Sequence, residues 1–262
     1  MMMNDQVFVA LAAVFGALIG SFLNVCIYRV PLGTSVVWPA SSCESCRREL
    51  SWYENLPIVS WAALGAKCRT CKAPLSMRHP FIEALTALMF GAAAWYYGPG
   101  VLLASRLVFG CMLIVLFAID LDHHLLPNVI TLPGIIVGLA FSVVTTEPGV
   151  VNALIGAVVG GGSLWLIAEI YYRLRHEEGL GMGDVKMLAM VGAFVGWQLT
   201  VVTLVMASIA GSIVGVILIA SKKGDMKYAL PFGTFLALGA AAAATVGPVV
   251  LGWYLRQFWG TL

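Results

Sequence analysis

The chain has 262 residues, of which 60% are hydrophobic and only 11% are charged, and its mean hydropathy is +0.93. A soluble domain carries about 25% charged residues, so this composition excludes an ordinary soluble protein. It indicates an all-α membrane protein that crosses the bilayer several times, with a net charge of +2.

Apolar windows of the length that crosses a bilayer as a helix, about 20 residues, predict eight transmembrane helices. The sixth window would rise only about 20 Å, which is less than the roughly 30 Å of the hydrocarbon core. The predicted windows are 6–28, 81–98, 101–119, 128–145, 150–172, 185–197, 199–220 and 230–254.

The Lys and Arg residues predict how these helices are oriented. Of 15, seven lie between Arg29 and Arg78, three between Arg173 and Lys186, and three between Lys222 and Lys227. With eight spans, all three basic segments fall on one side, and the positive-inside rule makes that side the cytoplasm. Both termini are then predicted to lie in the periplasm.

We predict three regions along the chain: a first transmembrane helix (1–28), a cytoplasmic four-cysteine segment (29–80) and a seven-helix membrane domain (81–262). In the first, Gly16-x-x-x-Gly20 is typical of closely packed membrane helices. Four other pairs at this spacing predict the same packing in the membrane domain: Gly134 and Gly138, Gly156 and Gly160, Gly192 and Gly196, Gly211 and Gly215. No longer internal repeat is recognised.

The 29–80 segment holds four of the six cysteines, as Cys43-Glu-Ser-Cys46 and Cys68-Arg-Thr-Cys71. Two such pairs separated by 21 residues are typical of a structural zinc site with four thiolate ligands, which leaves no open position for catalysis. Disulfides are the alternative, and the predicted cytoplasmic location disfavours them. Cys26 and Cys111, in apolar helices, are predicted to be buried small hydrophobes.

Two carboxylates lie at ends of apolar windows. Asp120 follows the third window, and Asp184 follows a run containing Gly179, Gly181 and Gly183. A charge at bilayer depth costs roughly 2.5–3.5 kcal/mol, so such an acid is by default a functional-site hypothesis. Two close carboxylates share a proton and can supply a general base and a general acid for water attack on a peptide bond.

Simpler interpretations remain for the polar residues around this pair. Asp184 could begin a helix as a favourable first-turn acid, and Asp120 could be a solvated loop residue. Lys186 could attract a substrate carboxylate or only extend to the membrane interface. Glu83, where the chain enters the membrane, could stabilise a helix N-terminus or contact a ligand.

Other catalytic classes have little support. His123 and His124 lie beside Asp120 but are adjacent, a poor spacing for metal ligands on one helix face, and no His-Glu-x-x-His motif occurs. The sequence also lacks the Gly-x-Ser-x-Gly motif of a serine nucleophile.

Several longer motifs carry a resemblance to a known family. These are Gly20-Ser-Phe-Leu-Asn-Val25 with Arg29-Val-Pro31, the four cysteines, Glu54-Asn-Leu-Pro-Ile-Val-Ser-Trp61, Pro80-Phe-Ile-Glu-Ala-Leu-Thr86, Ile119-Asp120 with Leu126-Pro127, Gly181-x-Gly183-Asp184-x-Lys186, and Pro231-Phe-Gly-Thr-Phe235. Over nearly its whole length, the chain resembles bacterial type IV prepilin peptidases, which are bifunctional leader peptidases and N-methyltransferases of pilus and type II secretion systems.

The resemblance implies an eight-helix fold of the Gly-x-Gly-Asp aspartic peptidases in the bacterial inner membrane. It implies that Asp120 and Asp184 are the catalytic pair, supported by the motif residues Gly181, Gly183 and Lys186. Prepilins and pseudopilins would be cut at the cytoplasmic face, and the new N-terminal amine methylated from S-adenosylmethionine. Asn128 stands where many relatives are expected to have Asp.

The methyl-donor site does not follow from any motif, because no glycine-rich dinucleotide loop occurs. Glu83 and the cysteine segment are candidates by their predicted position on the same face. The lipid bilayer is the other expected partner, and no nucleic acid is expected.

Three other functions remain open. The first is a peptidase without methyltransferase activity, which would cleave independently of zinc. The second is an inactive scaffold that binds partners through the cysteine segment and would tolerate loss of both aspartates. The third is a transporter, which would more often have two repeated halves.

Overall fold

A computed structural model describes residues 3–43, 45–177, 179–221 and 230–258. This described part is helical and contains no strand, only two isolated β-bridges in the cysteine segment. The chain divides into two compact units, Met1–Val115 and Leu116–Leu262. The α-helices of the described part are α1 (Met3–Arg29), α2 (Val59–Ala63), α3 (Arg78–Tyr97), α4 (Val101–His123), α5 (Asn128–Val144), α6 (Val150–Arg175), α7 (Met182–Val195), α8 (Trp197–Ala220), α9 (Phe232–Thr245) and α10 (Gly247–Phe258).

The first unit is built on the close pairing of α1 with α3. A Cβ on Gly16 would lie 2.7 Å from the Cβ of Phe90, and one on Gly20 would lie 2.7 Å from the Cα of Glu83. Real Cβ atoms do not approach this closely, so only glycine allows the two helices to pack here. The prediction of close helix packing from Gly16 and Gly20 is therefore confirmed.

The second unit surrounds a short helix, α7, most of whose side chains are buried. It packs against α6 through backbone contacts, since a Cβ on Gly192 would lie 2.0 Å from the carbonyl oxygen of Gly156. A Cβ on Gly160 would lie 2.4 Å from the carbonyl oxygen of Leu188. These contacts confirm the small-residue packing predicted for this helix pair.

The predicted windows all contain helices, but the count of eight spans is not confirmed. Within the described residues, four helices are long and apolar enough to cross a membrane (α1, α4, α6 and α8), and the bent pair α9–α10 could supply a fifth span. The helix α5 is apolar but shorter. The helix α7 has 14 residues, and because protein surrounds it, its length need not match the lipid.

The last predicted window is wrong as a single straight helix. The structure ends α9 at Thr245 and begins α10 at Gly247, with a bend of 64° between them. Pro248 explains the break, since proline has no N–H for the preceding turn and its ring collides with the carbonyl four residues earlier.

Candidate active site and candidate metal centre

Asp120 lies one turn before the end of α4, which closes where His124 takes a left-handed conformation with φ of 50°. Its side chain is almost fully buried, with 4% of the residue exposed. Thr234 donates two hydrogen bonds to its Oδ2 atom, from the backbone N–H at 2.6 Å and from the hydroxyl at 3.0 Å. Asp120 therefore stabilises the first turn of α9, although the two residues are 114 positions apart in sequence.

Asp184 lies in the first turn of α7, behind Gly181, which is the N-cap residue. It is 9% exposed, and its carboxylate accepts a hydrogen bond from the backbone of Gly181. It thus stabilises the helix start, as the simpler interpretation expects. It also lies near enough to Asp120 for the two carboxylates to interact electrostatically. The fold therefore brings Asp120 and Asp184 together inside the second unit.

Leu126 packs between two glycines that flank the aspartates. A Cβ on Gly183 would lie 2.9 Å from the Cβ of Leu126, and a Cβ on Gly233 would lie 2.8 Å from its Cδ1. The Cβ on Gly233 would also lie 3.0 Å from both Cγ and Oδ2 of Asp120. Glycine at these positions therefore permits the close approach of α9 to the end of α4, and of α7 to the loop that follows α4.

The other polar side chains near the pair lie further towards solvent. Lys186 is partly exposed, and its Nζ atom donates to Oδ1 of Asn128 at 2.9 Å. Asp122, His123 and His124 are exposed. Lys186 is thus bound to a neutral amide at the N-terminus of α5.

The four cysteines of the two pairs meet in the first unit. Their Sγ atoms all lie within 4.8 Å of one another, with 3.8 Å between Cys43 and Cys71 and 4.0 Å between Cys46 and Cys68. A tetrahedron with zinc–sulfur bonds of about 2.3 Å has sulfur–sulfur edges of roughly 3.8 Å. The geometry fits one tetrahedral metal ion, whereas a disulfide would require about 2.05 Å between sulfurs. The cluster could therefore hold a metal such as zinc.

The two cysteine pairs form a short internal repeat that the sequence analysis missed. Residues 41–51 and 66–76 share the pattern Cys-x-x-Cys, then a basic residue, then Leu-Ser. In both copies the backbone N–H of the first cysteine donates a hydrogen bond to the carbonyl oxygen five residues later. These bonds join Cys43 to Arg48 at 2.9 Å and Cys68 to Ala73 at 2.8 Å. The basic residue after each cysteine pair and the Leu-Ser ending are the sequence signal of this repeat.

An ion pair joins the first copy of this repeat to the 3₁₀ turn that follows it. Arg48 donates from Nη2 to Oε1 of Glu54 at 2.7 Å, while Oε2 of Glu54 accepts the N–H of Ser51 at 2.9 Å. The hydrogen bond from Arg48 is the main cause that lowers the pKa of Glu54 to about 2. Arg48 follows the first cysteine pair, so its ion pair connects this copy of the repeat to the 3₁₀ turn Trp52–Asn55.

Glu83 lies in α3 and is buried, with 7% exposed. Its Oε2 accepts the N–H of Ile58 at 2.7 Å, and its carboxylate also hydrogen-bonds Ser21 of α1. Ile58 has φ of 61°, a strained backbone for a β-branched residue. Glu83 therefore fixes the turn before α2 onto the α1–α3 pair, and the fold does not place it in the same unit as the aspartates.

Comparison with known proteins gives two matching family models. Residues 14–97 match the bacterial peptidase A24 N-terminal domain, and residues 107–216 match the type IV leader peptidase family. No solved structure matches.

Curated relatives match over most of the chain. A protein of Pseudomonas putida is 36% identical over 267 residues, covering 94% of this chain and 93% of the relative. A protein of Pseudomonas aeruginosa is also 36% identical, covering 95% and 94%. A protein of Myxococcus xanthus is 41% identical, covering 79% and 62%. All three are named prepilin leader peptidase/N-methyltransferase.

Proposed function

This chain belongs to the type IV leader peptidase family, so it cleaves prepilin leaders and N-methylates the product, and we propose that Asp120 and Asp184 perform the cleavage. The observation that supports this assignment is the pair of buried carboxylates at the adjoining ends of α4 and α7. Buried acids that interact are suited to hold one proton between them at neutral pH.

In the proposed mechanism, one water molecule is held between the two aspartates. The ionised carboxylate takes a proton from the water, and the oxygen attacks the scissile carbonyl carbon. The protonated partner donates its proton to the carbonyl oxygen, which gives a neutral tetrahedral intermediate. Collapse of this intermediate breaks the carbon–nitrogen bond. The leaving amine takes the proton that the first carboxylate received from water, and the second carboxylate takes back a proton from a hydroxyl of the intermediate.

We place this chemistry at the cytoplasmic face of the bacterial inner membrane. The support is the distribution of Lys and Arg, which is concentrated in segments on one predicted side. A prepilin has a polar leader and an apolar stem, so its cleavage site would reach the membrane surface where the aspartates are proposed to lie. On this orientation both termini are periplasmic, and the cysteine segment is cytoplasmic.

We propose that Cys43, Cys46, Cys68 and Cys71 hold one structural zinc ion. The sulfur–sulfur distances support the assignment. Four thiolate ligands leave no position for substrate, so the ion would supply folding energy to the segment between α1 and α3. Arg48, which interacts electrostatically with Cys68 and pairs with Glu54, would offset part of the negative charge of the site.

We propose S-adenosylmethionine as the methyl donor, because the relatives named N-methyltransferases transfer a methyl group to an amine. The chain must hold a deprotonated N-terminal amine in line with the methyl carbon, which is mainly a matter of positioning. Glu83 is the candidate cofactor contact, since it is a buried carboxylate in the first unit beside the strained turn at Ile58. Its contact with Ile58 gives it a structural role as well.

The function is tested with purified protein in detergent or liposomes, a model prepilin and S-adenosylmethionine. We expect mass spectrometry to detect loss of the leader and then the added mass of one methyl group on the new N-terminus. A cut but unmethylated product would restrict the function to the peptidase. An intact prepilin would contradict the proposal.

We predict that Gly233→Ala lowers the rate of prepilin cleavage by roughly 10²-fold. The added Cβ would lie 3.0 Å from the carboxyl group of Asp120 and 2.8 Å from Leu126, so the carboxyl group would have to move. The measurement is the initial cleavage rate, together with the thermal unfolding temperature of each variant.

Gly211→Ala is the matched control for this change. A Cβ on Gly211 would meet only the ring of Phe235, at 3.5 Å, which is an ordinary contact. We expect this variant to cleave like the parent. Parental activity in Gly233→Ala would mean that the contact with Asp120 is unimportant for cleavage.

A further inference from the structure

The two aspartates are held in different ways. Oδ2 of Asp120 accepts both the N–H and the hydroxyl of Thr234, whereas the carboxylate of Asp184 accepts a backbone hydrogen bond from Gly181. The N–H of Thr234 makes only a longer second bond, 3.2 Å, to the carbonyl of Pro231. The geometry therefore distinguishes the two members of the pair.

We propose that Thr234 is a positioning residue that keeps Asp120 in the role of general base, so that Asp184 carries the shared proton and acts as general acid. This inference rests on the proposed function, because it divides the two roles within the same site. Nothing in the sequence motifs alone distinguishes the two acids.

The hydrogen bonds support this division of roles. Two donors directed at Oδ2 favour an oxygen that carries negative charge, and they disfavour a proton on that atom. Oδ1 of Asp120 is then left to face the water. In the resulting step an O–H bond of the water breaks and its proton goes to Oδ1. A carbon–oxygen bond forms at the scissile carbonyl, whose oxygen takes the proton of Asp184.

Helix dipoles do not reverse the assignment. Asp120 lies near the C-terminus of α4, which disfavours a negative charge, but it also contacts the first turn of α9, which favours one. A negative charge on Asp184 is likewise favoured, because this residue lies in the first turn of α7. Because a hydrogen bond to a charged oxygen outweighs a dipole effect of this kind, the two bonds from Thr234 decide the difference.

The test compares the pH profile of kcat/KM for prepilin cleavage in the parent, Thr234→Val and Thr234→Ser. Valine has a similar shape but no hydroxyl, and serine restores the hydroxyl. We expect the acidic limb of the Thr234→Val profile to move to higher pH by about one unit, with a roughly tenfold loss of activity on that limb. Activity should recover as the pH rises, and Thr234→Ser should resemble the parent.

Thr203→Val is the matched control. Thr203 is also fully buried in the second unit, but its hydroxyl donates to the carbonyl of Leu199 at 2.8 Å, away from the aspartates. We expect no change in its pH profile. The other titratable side chains on the helices around Asp120 are unchanged in every variant: Arg106, Cys111, Asp122 and His123 on α4, and Asp184 and Lys186 on α7; α9 has none.

Two outcomes would overturn the inference. An unshifted acidic limb in Thr234→Val would mean that the hydroxyl does not act on the general base. A loss of equal size at every pH, without rescue by serine, would make Thr234 merely structural. Methylation of a pre-cut pilin by each variant checks that it is folded. Failure of the parent to cleave would instead contradict the proposed function, so the two failures are distinguishable.

Discussion

Replacement of either aspartate should abolish prepilin cleavage. We expect Asp120→Asn and Asp184→Asn each to lower the rate by about 10³-fold or more, because an amide can neither take the proton of the water nor hold the shared proton. Asparagine keeps the size of the side chain, so packing beside Leu126 and Gly233 is retained. The measurement is the cleavage of a model prepilin in detergent or liposomes, scored by mass.

Asp122→Asn is the matched control for these two substitutions. Asp122 is an exposed acid on α4, two residues beyond Asp120. The Asp122→Asn variant should therefore cleave at close to the parental rate. All variants should still methylate a pre-cut pilin, which would separate the methyltransferase from the aspartate pair. Cleavage by both Asp120→Asn and Asp184→Asn would contradict the aspartic mechanism and favour a metal-dependent one.

The sequence predicts the parts of the site that leave a local signal. Glycines spaced four apart predicted the contacts of Gly20 with Glu83 and of Gly192 with Gly156, because only a missing Cβ allows such an approach. The two cysteine pairs predicted a four-sulfur cluster, because each pair spans one edge of a tetrahedron. Acids at the ends of apolar windows predicted that Asp120 and Asp184 would be important, because charge there is costly.

The residues that contact Asp120 in the folded chain could not be predicted from local sequence signals. Thr234 reaches Asp120 across 114 positions, and a threonine at the start of an apolar helix is ordinary by itself. The importance of Gly233 is visible only in the structure, where Leu126 and Asp120 leave no room for a Cβ. The resemblance to the family included the motif at residues 231–235, but it gave no physical role to Gly233 or Thr234.

Hydropathy windows also fail where protein replaces lipid. The helix α7 is apolar because α5, α6, α8 and α9 pack around it, and a window cannot distinguish this burial from contact with lipid. The helix α3 begins with Arg78 and His79 and carries Glu83, so it falls outside the apolar spans although it pairs closely with α1. Helix positions are therefore predicted better than the number of spans.

Removal of the metal should unfold the cysteine segment. Structural zinc sites contribute roughly 10–16 kcal/mol of apparent binding energy. Among its described residues, the segment between α1 and α3 otherwise has only one short helix, α2, and the 3₁₀ turn Trp52–Asn55. We expect one zinc per chain in the parent and loss of this zinc in Cys43→Ser. Proteases should then cut within residues 30–77, a region that we expect to resist them in the parent.

Cys111→Ala is the control for the loss of a thiol, because Cys111 lies in α4 and outside the four-sulfur cluster. It should keep one zinc and the parental resistance to protease. Because Asp120, Asp184 and Thr234 belong to the second unit and the cluster to the first, we expect Cys43→Ser to keep more cleavage activity than either aspartate variant. A zinc-free parent that resists protease would contradict the structural role, and loss of zinc from Cys111→Ala would contradict the assignment of the four ligands.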